Sequence, residues 1–276
     1  MARGLPIDVS GVGVRIRARG KFLFSDEKVY IRGVTYGSFR PDRDGVPFPA
    51  REIVNNDFSF MVASGINALR VYTGPPGWLL DMAQQHGLLV MVGLPWEQHI
   101  AFLDERGRAD SIEQRVREGV RACAGHPAVL CYAIGNEIPG SIVRWYGARR
   151  IERFLQRLYR AAKSEDPDTL VTYVNYPTTE YLRLPFLDFL CFNVYLETQE
   201  KLEAYLAKLQ NLARDRPWSW AEVGLDSRRH GEADRPQSCS GKYRRRSSPV
   251  ARACSCFRGR MNGTAAALMS TTGISA

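Results

Sequence analysis

Short apolar runs alternate with longer amphipathic segments along most of the chain. Seven apolar runs have the length and composition of buried β-strands, and they span residues 29–35, 68–72, 88–92, 129–134, 170–174, 189–193 and 218–222. The segments between them place apolar residues on one helical face, over residues 50–64, 77–87, 111–124, 141–165 and 199–215. Strands that alternate with helices predict a parallel sheet.

Turn residues support the same division. Gly65, Gly87 and Gly125 each fall between a predicted helix and the next strand, where a helix has to end. The sequence has no glycine-rich phosphate turn of the kind that follows the first strand of a doubly wound open sheet. We therefore predict an α/β fold, a (β/α)8 TIM barrel with seven recognisable units, whose eighth strand is missing or replaced by an irregular tail.

Three segments follow from this pattern. Residues 1–27 form an N-terminal extension or hairpin, residues 28–226 form the barrel, and residues 227–276 form a basic tail of low order. The net charge of +9 is concentrated in that tail, which has eight Lys or Arg and no Asp or Glu from Arg235 onward. At face value this tail is disordered and able to bind phosphates. The nearly neutral body gives no reason to expect nucleic acid as a partner.

The cysteines and the apolar stretches of the chain indicate its cellular compartment. Cys123, Cys131 and Cys191 lie in hydrophobic contexts and are predicted to be buried thiols, which favours a reducing compartment. No apolar stretch is long enough for a membrane span, and no signal peptide is recognisable at the start. These features predict a cytoplasmic location.

Polar and aromatic side chains follow the predicted strands, at the end where a barrel places its active site. They include two carboxylates at strand ends, Glu137 and Glu222, and paired carboxylates carry out glycoside hydrolysis. The other members of this set are Tyr36, Phe39, Arg70, Tyr72, Trp96, His99, Asn136, Asn175, Tyr176, Asn193 and Tyr195.

Two motifs identify a family. Ile134-Gly-Asn-Glu-Ile-Pro139 and Ala221-Glu-Val-Gly224 resemble the ends of strands four and seven in clan A glycoside hydrolases, nearest to the barrel of glycoside hydrolase family two and related glucanases. The resemblance covers about residues 20–230. It implies that Glu137 is the acid/base and Glu222 the nucleophile, with Arg70 and Tyr195 beside the nucleophile.

The chemistry sets requirements on these residues. Glu137 has to keep a proton near neutral pH, which requires burial and a nearby negative charge, whereas Arg70 and Tyr195 would keep Glu222 ionised. A retaining mechanism predicts carboxyl groups about 5 to 5.5 Å apart. Asn136 is placed to bind the sugar 2-hydroxyl. Further predicted substrate contacts are Tyr36, Trp96, His99 and Asn193, while Trp78, Trp145 and Tyr176 are left open between cleft and core.

The expected substrate is a β-linked oligosaccharide or polysaccharide, and the mechanism requires no metal or organic cofactor. Alternatives remain open: a transglycosylase that uses the same site, or a non-catalytic carbohydrate-binding relic. The sequence does not determine the sugar, the linkage or the oligomeric state.

The tail has a second interpretation. If the codons for residues 254–275 are read one nucleotide earlier, with permitted synonymous choices, they can give VFVLSWTDEWHRGGADVDDWDF, which looks like strand eight of the family. We therefore hypothesise a frameshift between about residues 226 and 238. Loss of the eighth strand is expected to leave unpaired edges on strands seven and one.

Overall fold

The structure is a computed structural model that describes residues 15–41, 43, 45–196, 198–224 and 256–258. The first half of the predicted N-terminal extension and most of the predicted basic tail lie outside these residues.

A small antiparallel sheet opens the described chain. It consists of β1 (Arg17–Arg19), β2 (Phe22–Phe24) and β3 (Lys28–Val29), in the order β1-β2-β3. Leu23 and Val29 are buried in one apolar cluster with Leu89 and Leu170, which begin two barrel strands. This sheet therefore covers the end of the barrel where the strands start, opposite the end that carries the polar set.

The seven predicted strands form consecutive parallel pairs. They are β4 (Arg32–Thr35), β5 (Ala68–Val71), β6 (Leu89–Gly93), β7 (Val129–Asn136), β8 (Leu170–Asn175), β9 (Leu190–Tyr195) and β10 (Trp218–Gly224). The helices are α1 (Arg51–Ala63), α2 (Gly77–Gln85), α3 (Arg108–Arg121), α4 (Gly140–Tyr146), α5 (Ala148–Glu165) and α6 (Gln199–Ala213), and a 3-10 turn spans Pro177–Thr179. The predicted barrel of parallel strands and helices is confirmed.

At the eighth position of the barrel a segment of the tail replaces the parallel strand, as predicted. A short strand from the tail, β11 (Cys256–Arg258), lies between β10 and β4 and pairs antiparallel with both, which closes the barrel. The edges that we expected to be unpaired are thus joined by this segment. Backbone N–H and C=O groups on a free strand edge accept any extended segment, so pairing of this kind does not depend on side chains.

Packing of the helices agrees with the predicted apolar faces. In α5, Ile151, Phe154, Leu155 and Leu158 are buried against the barrel. The single helix predicted over residues 141–165 is divided into α4 and α5 at Gly147, which has φ 78°. A side chain at this φ would be strained, so glycine permits the bend that lets α4 follow the end of β7 closely.

Glycine is also required where β5 and β6 approach each other. A Cβ atom at Gly93 would lie 2.7 Å from the backbone oxygen of Tyr72 and 2.8 Å from that of Val71. The absence of a side chain at position 93 therefore lets β6 lie close to the end of β5, which carries Arg70 and is followed by Tyr72.

Candidate active site

Two carboxylates lie at the carboxyl ends of β7 and β10. Glu222 lies within β10, next to the register shift between Trp220 and Glu222 in the pairing with β9. Glu137 directly follows β7 and has φ 53°, which is uncommon for a residue with a side chain. Its backbone N–H donates to the Val174 carbonyl oxygen at 2.9 Å, which fixes this turn against β8.

Glu222 is nearly buried, at 9% exposed, and receives hydrogen bonds on both oxygens. Arg70 Nη1 donates to Oε1 at 2.7 Å, and the Tyr72 hydroxyl donates to the same oxygen at 2.8 Å. The Tyr195 hydroxyl donates to Oε2 at 2.5 Å. These three donors hold both oxygens of the carboxylate in place.

Arg70 connects the two halves of the site. Its side chain is 2% exposed, and while Nη1 binds Glu222, Nη2 donates to Asn136 Oδ1 at 2.8 Å. The guanidinium carbon also lies 4.6 Å from the ring centre of Tyr72. A planar guanidinium holds two acceptors at a fixed separation, so Arg70 positions Asn136 relative to Glu222.

Glu137 has a different environment. Asn193 Nδ2 donates to Glu137 Oε1 at 2.9 Å, and the same nitrogen lies 3.3 Å from Asn136 Oδ1. Burial raises the pKa of Glu137, the Asn193 hydrogen bond opposes that rise, and the charge of Glu222 adds to it. The charges of Arg70 and His99 act in the opposite direction, but the net effect is a raised pKa. This is the direction that a proton donor near neutral pH requires.

The structure brings together most of the predicted site. Arg70, Asn136, Asn193, Tyr195 and the two carboxylates form one hydrogen-bonded cluster. His99 is exposed, and its charge lowers the pKa of Glu137.

Two predicted substrate contacts lie elsewhere. Tyr36 is 1% exposed, and its hydroxyl donates to Asp57 Oδ2 at 2.9 Å. Trp96 is buried, with its indole N–H donating to the Ile134 carbonyl oxygen at 2.7 Å and its ring against Phe102. Both side chains therefore pack in the core, against residues of the helices outside the barrel.

The three aromatic residues that the sequence left undecided between cleft and core have different environments. Trp145 is 72% exposed and donates its indole N–H to Asp104 at 3.2 Å, whereas Trp78 is partly buried under the Arg51 side chain. The Tyr176 hydroxyl accepts the Gly140 N–H at 3.0 Å, so it supports the start of α4.

The sequence did not predict a role for two residues that hold the site. Tyr72 was recognised as a strand-end residue, yet nothing in the sequence showed that it binds Glu222. Gln98 is buried, and its Oε1 accepts the backbone N–H of Asn136 at 2.8 Å. The sequence signal that could have identified Gln98 is its position next to His99, in the segment after β6.

Within the described residues, no group of three or more His, Cys, Asp or Glu side chains could hold a metal ion. Cys123, Cys131 and Cys191 are buried thiols, as predicted. No helix in the described part of the chain is both long and apolar enough to cross a membrane.

Known proteins with this fold include two bacterial enzymes. A β-glucuronidase from Ruminococcus gnavus in complex with C6-substituted uronic isofagomine is 18% identical, with a TM-score of 0.64, over 76% of this chain and 38% of that one. Bacteroides uniformis β-glucuronidase 2, covalently bound to cyclophellitol-6-carboxylate aziridine, is 22% identical with a TM-score of 0.64, over 76% of this chain and 27% of that one. The present chain thus spans well under half the length of either protein.

Among curated proteins, no sequence matches this chain. A family model does match, and it is described as glycosyl hydrolases family 2, TIM barrel domain. The match runs from residue 14 to residue 245 and so includes both carboxylates. The chain belongs to the TIM-barrel domain family of the family 2 glycosyl hydrolases.

Proposed function

We propose that the chain is the catalytic domain of a retaining β-glycosidase. In the first half-reaction, a Glu222 oxygen forms a bond to the anomeric carbon while the bond to the leaving oxygen breaks. Glu137 gives its proton to that leaving oxygen. In the second half-reaction, Glu137 takes a proton from water, the water oxygen bonds to the anomeric carbon, and Glu222 leaves as a carboxylate.

One observation carries this proposal: the two carboxylates have opposite environments. Glu222 receives a buried guanidinium and two tyrosine hydroxyls, which suit a group that reacts as an anion. Glu137 has a raised pKa and accepts a neutral amide donor, which suits a group that starts the reaction protonated. Two carboxyl groups in one cluster with such different environments are typical of acid and nucleophile pairs.

Asn136 and Asn193 support the same assignment. Asn136 Oδ1 accepts from both Arg70 and Asn193, so its amide is held in one orientation between the two carboxylates. In that position its Nδ2 is left to bind a sugar hydroxyl, and we assign it to the 2-hydroxyl, whose contacts strengthen in the transition state.

The similar structures guide the choice of substrates to test. The two described above are β-glucuronidases, so a β-D-glucuronide is the first substrate to test, followed by β-glucosides and β-galactosides. An added acceptor sugar in the same assay distinguishes transfer to water from transfer to another sugar.

Mechanism-based trapping tests the assignment. A panel of 2-fluoro glycosyl fluorides is incubated with the chain, and the labelled peptide is identified by mass spectrometry. We expect the label on Glu222, no label in Glu222→Gln, and slow turnover in Glu137→Gln that is restored for activated aryl glycosides. A label on another residue, or a product of inverted configuration, would contradict the proposal.

We further propose that the tail is encoded out of frame. This rests on the shifted translation and is supported by β11, which is three residues long and antiparallel, whereas a (β/α)8 barrel has eight parallel strands. Independent sequencing of the gene tests it, and an unbroken frame through codon 276 in every read would exclude the shift.

A further inference from the structure

The two oxygens of Glu222 are held differently. Within the described residues, Oε1 receives two donors, Arg70 Nη1 and the Tyr72 hydroxyl. Oε2 receives the hydroxyl of Tyr195, a residue that is 46% exposed, whereas Arg70 is 2% exposed. Oε1 is therefore bound by the more buried side chains and Oε2 by the more exposed one, which puts Oε2 on the more open side of the carboxylate.

We propose that Oε2 is the attacking oxygen and that Tyr72 is a positioning residue, which holds Oε1 as the carbonyl oxygen of the glycosyl ester. This inference rests on the proposed function. In the first half-reaction, the new bond joins Oε2 to the anomeric carbon, and the leaving oxygen takes the bonding pair and the proton of Glu137. In the second, the water oxygen bonds to the anomeric carbon and gives a proton to Glu137, while the Oε2–carbon bond breaks and its electron pair returns to Glu222.

Tyr72 has the contacts that this role requires. Its hydroxyl is hydrogen-bonded to the side chain of Thr35, which is buried, and the Arg70 guanidinium packs on its ring. Burial raises the pKa of Tyr72 to about 12, so the hydroxyl keeps its proton and donates to Oε1 throughout the working pH range. The donor is thus fixed in position and in protonation state.

The effect of this donor differs between the two half-reactions. Oε1 shares the negative charge of the free carboxylate, loses it in the ester, and regains it as the ester breaks. A hydrogen bond to a charged oxygen is about twice as strong as one to a neutral oxygen. Tyr72 therefore stabilises the transition state of ester breakdown more than the ester, and gives no such advantage when the ester forms.

Tyr72→Phe removes this hydroxyl and keeps the ring. With a 2,4-dinitrophenyl β-glycoside that the unchanged chain hydrolyses, we expect kcat and KM each to fall about tenfold and kcat/KM to stay within about twofold, because the ester accumulates. Stopped-flow measurements should show a burst of about one phenol per site. Methanol should raise kcat in this variant, since it competes with water for the ester.

The matched control is Tyr36→Phe, which removes a hydroxyl bound to Asp57 in the core. It should produce neither a burst nor a change in KM. A fall in kcat/KM for Tyr72→Phe as large as the fall in kcat, with no burst, would overturn the inference, because it would place the effect on ester formation or on folding.

Failure of the inference and failure of the proposed function give different results. If the unchanged chain releases no phenol from any glycoside, the proposed function fails, and the role of Tyr72 fails with it. If the unchanged chain releases phenol and Tyr72→Phe behaves identically, the role of Tyr72 is excluded and the proposed function stands.

A second measurement examines the contact without turnover. In a double-mutant cycle of Tyr72→Phe and Glu222→Ala, followed by urea unfolding, we expect a coupling of about tenfold in the unfolding equilibrium constant. Additive effects would show that the contact contributes nothing, and would overturn the inference.

Discussion

At the scale of single residues, the site depends on how charge is distributed between Glu137 and Glu222. Glu137 is partly buried with one amide donor, and Glu222 has three strong donors, although both are glutamates at strand ends. The sequence motifs predicted both carboxylates, together with Arg70 and Tyr195. They did not predict Tyr72 or Gln98, because hydrogen-bond partners across a barrel depend on which strands become neighbours.

The raised pKa of Glu137 predicts a pH-dependent effect on stability. A carboxyl whose pKa is higher in the folded state contributes stability at low pH that is lost as the pH rises through the folded value. Glu137→Gln is neutral at every pH, so it should leave stability nearly unchanged at pH 4 and increase it at pH 8. Urea unfolding at both pH values measures this, and a variant that is less stable at pH 8 would contradict it.

The same substitution should change the pH profile of activity. Under the proposed function, we expect the unchanged chain to lose activity as the pH rises through the pKa of Glu137, since the ionised form cannot protonate the leaving group. For a 2,4-dinitrophenyl glycoside, which needs no proton on departure, the alkaline fall in kcat/KM should be absent in Glu137→Gln. Persistence of that fall would assign it to another group.

At the scale of elements, strand order and helix faces were predictable from the sequence, whereas the ends of elements were not. The runs of Val, Ile and Leu identified every barrel strand from β4 to β10. The interruption of the predicted helix at Gly147 was missed, because a single glycine in an amphipathic pattern is also compatible with a continuous helix. Tyr36 and Trp96 were assigned to the cleft because backbone pattern alone does not show which way a loop turns.

Gly93 provides a test of how β6 supports the site. Gly93→Ala should destabilise the fold by about 1 to 3 kcal/mol, because the added methyl group meets the backbone of Tyr72 and neither strand can move freely. It should also lower kcat/KM by displacing Arg70. The control is Gly77→Ala at the start of α2, where a Cβ meets nothing within 4 Å. That change should be neutral or stabilising by up to about 1 kcal/mol.

At the scale of the whole molecule, the small sheet and the barrel form one structure. Leu23 is 2% exposed, and its cluster includes residues from several barrel strands. Removing this side chain should therefore destabilise the barrel as a whole and not the sheet alone.

Leu23→Ala is expected to lower the free energy of unfolding by about 2 to 5 kcal/mol in a single urea transition. Tyr30→Ser, at a position that is 53% exposed, is the matched control and should change it by less than about 0.5 kcal/mol. Two separate transitions in Leu23→Ala would show that the sheet folds independently of the barrel.

The two hydrogen bonds of the Arg70 guanidinium, to Glu222 and to Asn136, have a consequence for redesign of the site. In Glu222→Ala, the guanidinium would keep its bond to Asn136 but lose its carboxylate, which leaves a buried positive charge beside an empty space of carboxylate size. Small anions such as formate or azide should bind there and restore part of the turnover of activated substrates. With a glycosyl fluoride of inverted configuration and an acceptor sugar, the same empty space would let the barrel build glycosidic bonds instead of breaking them.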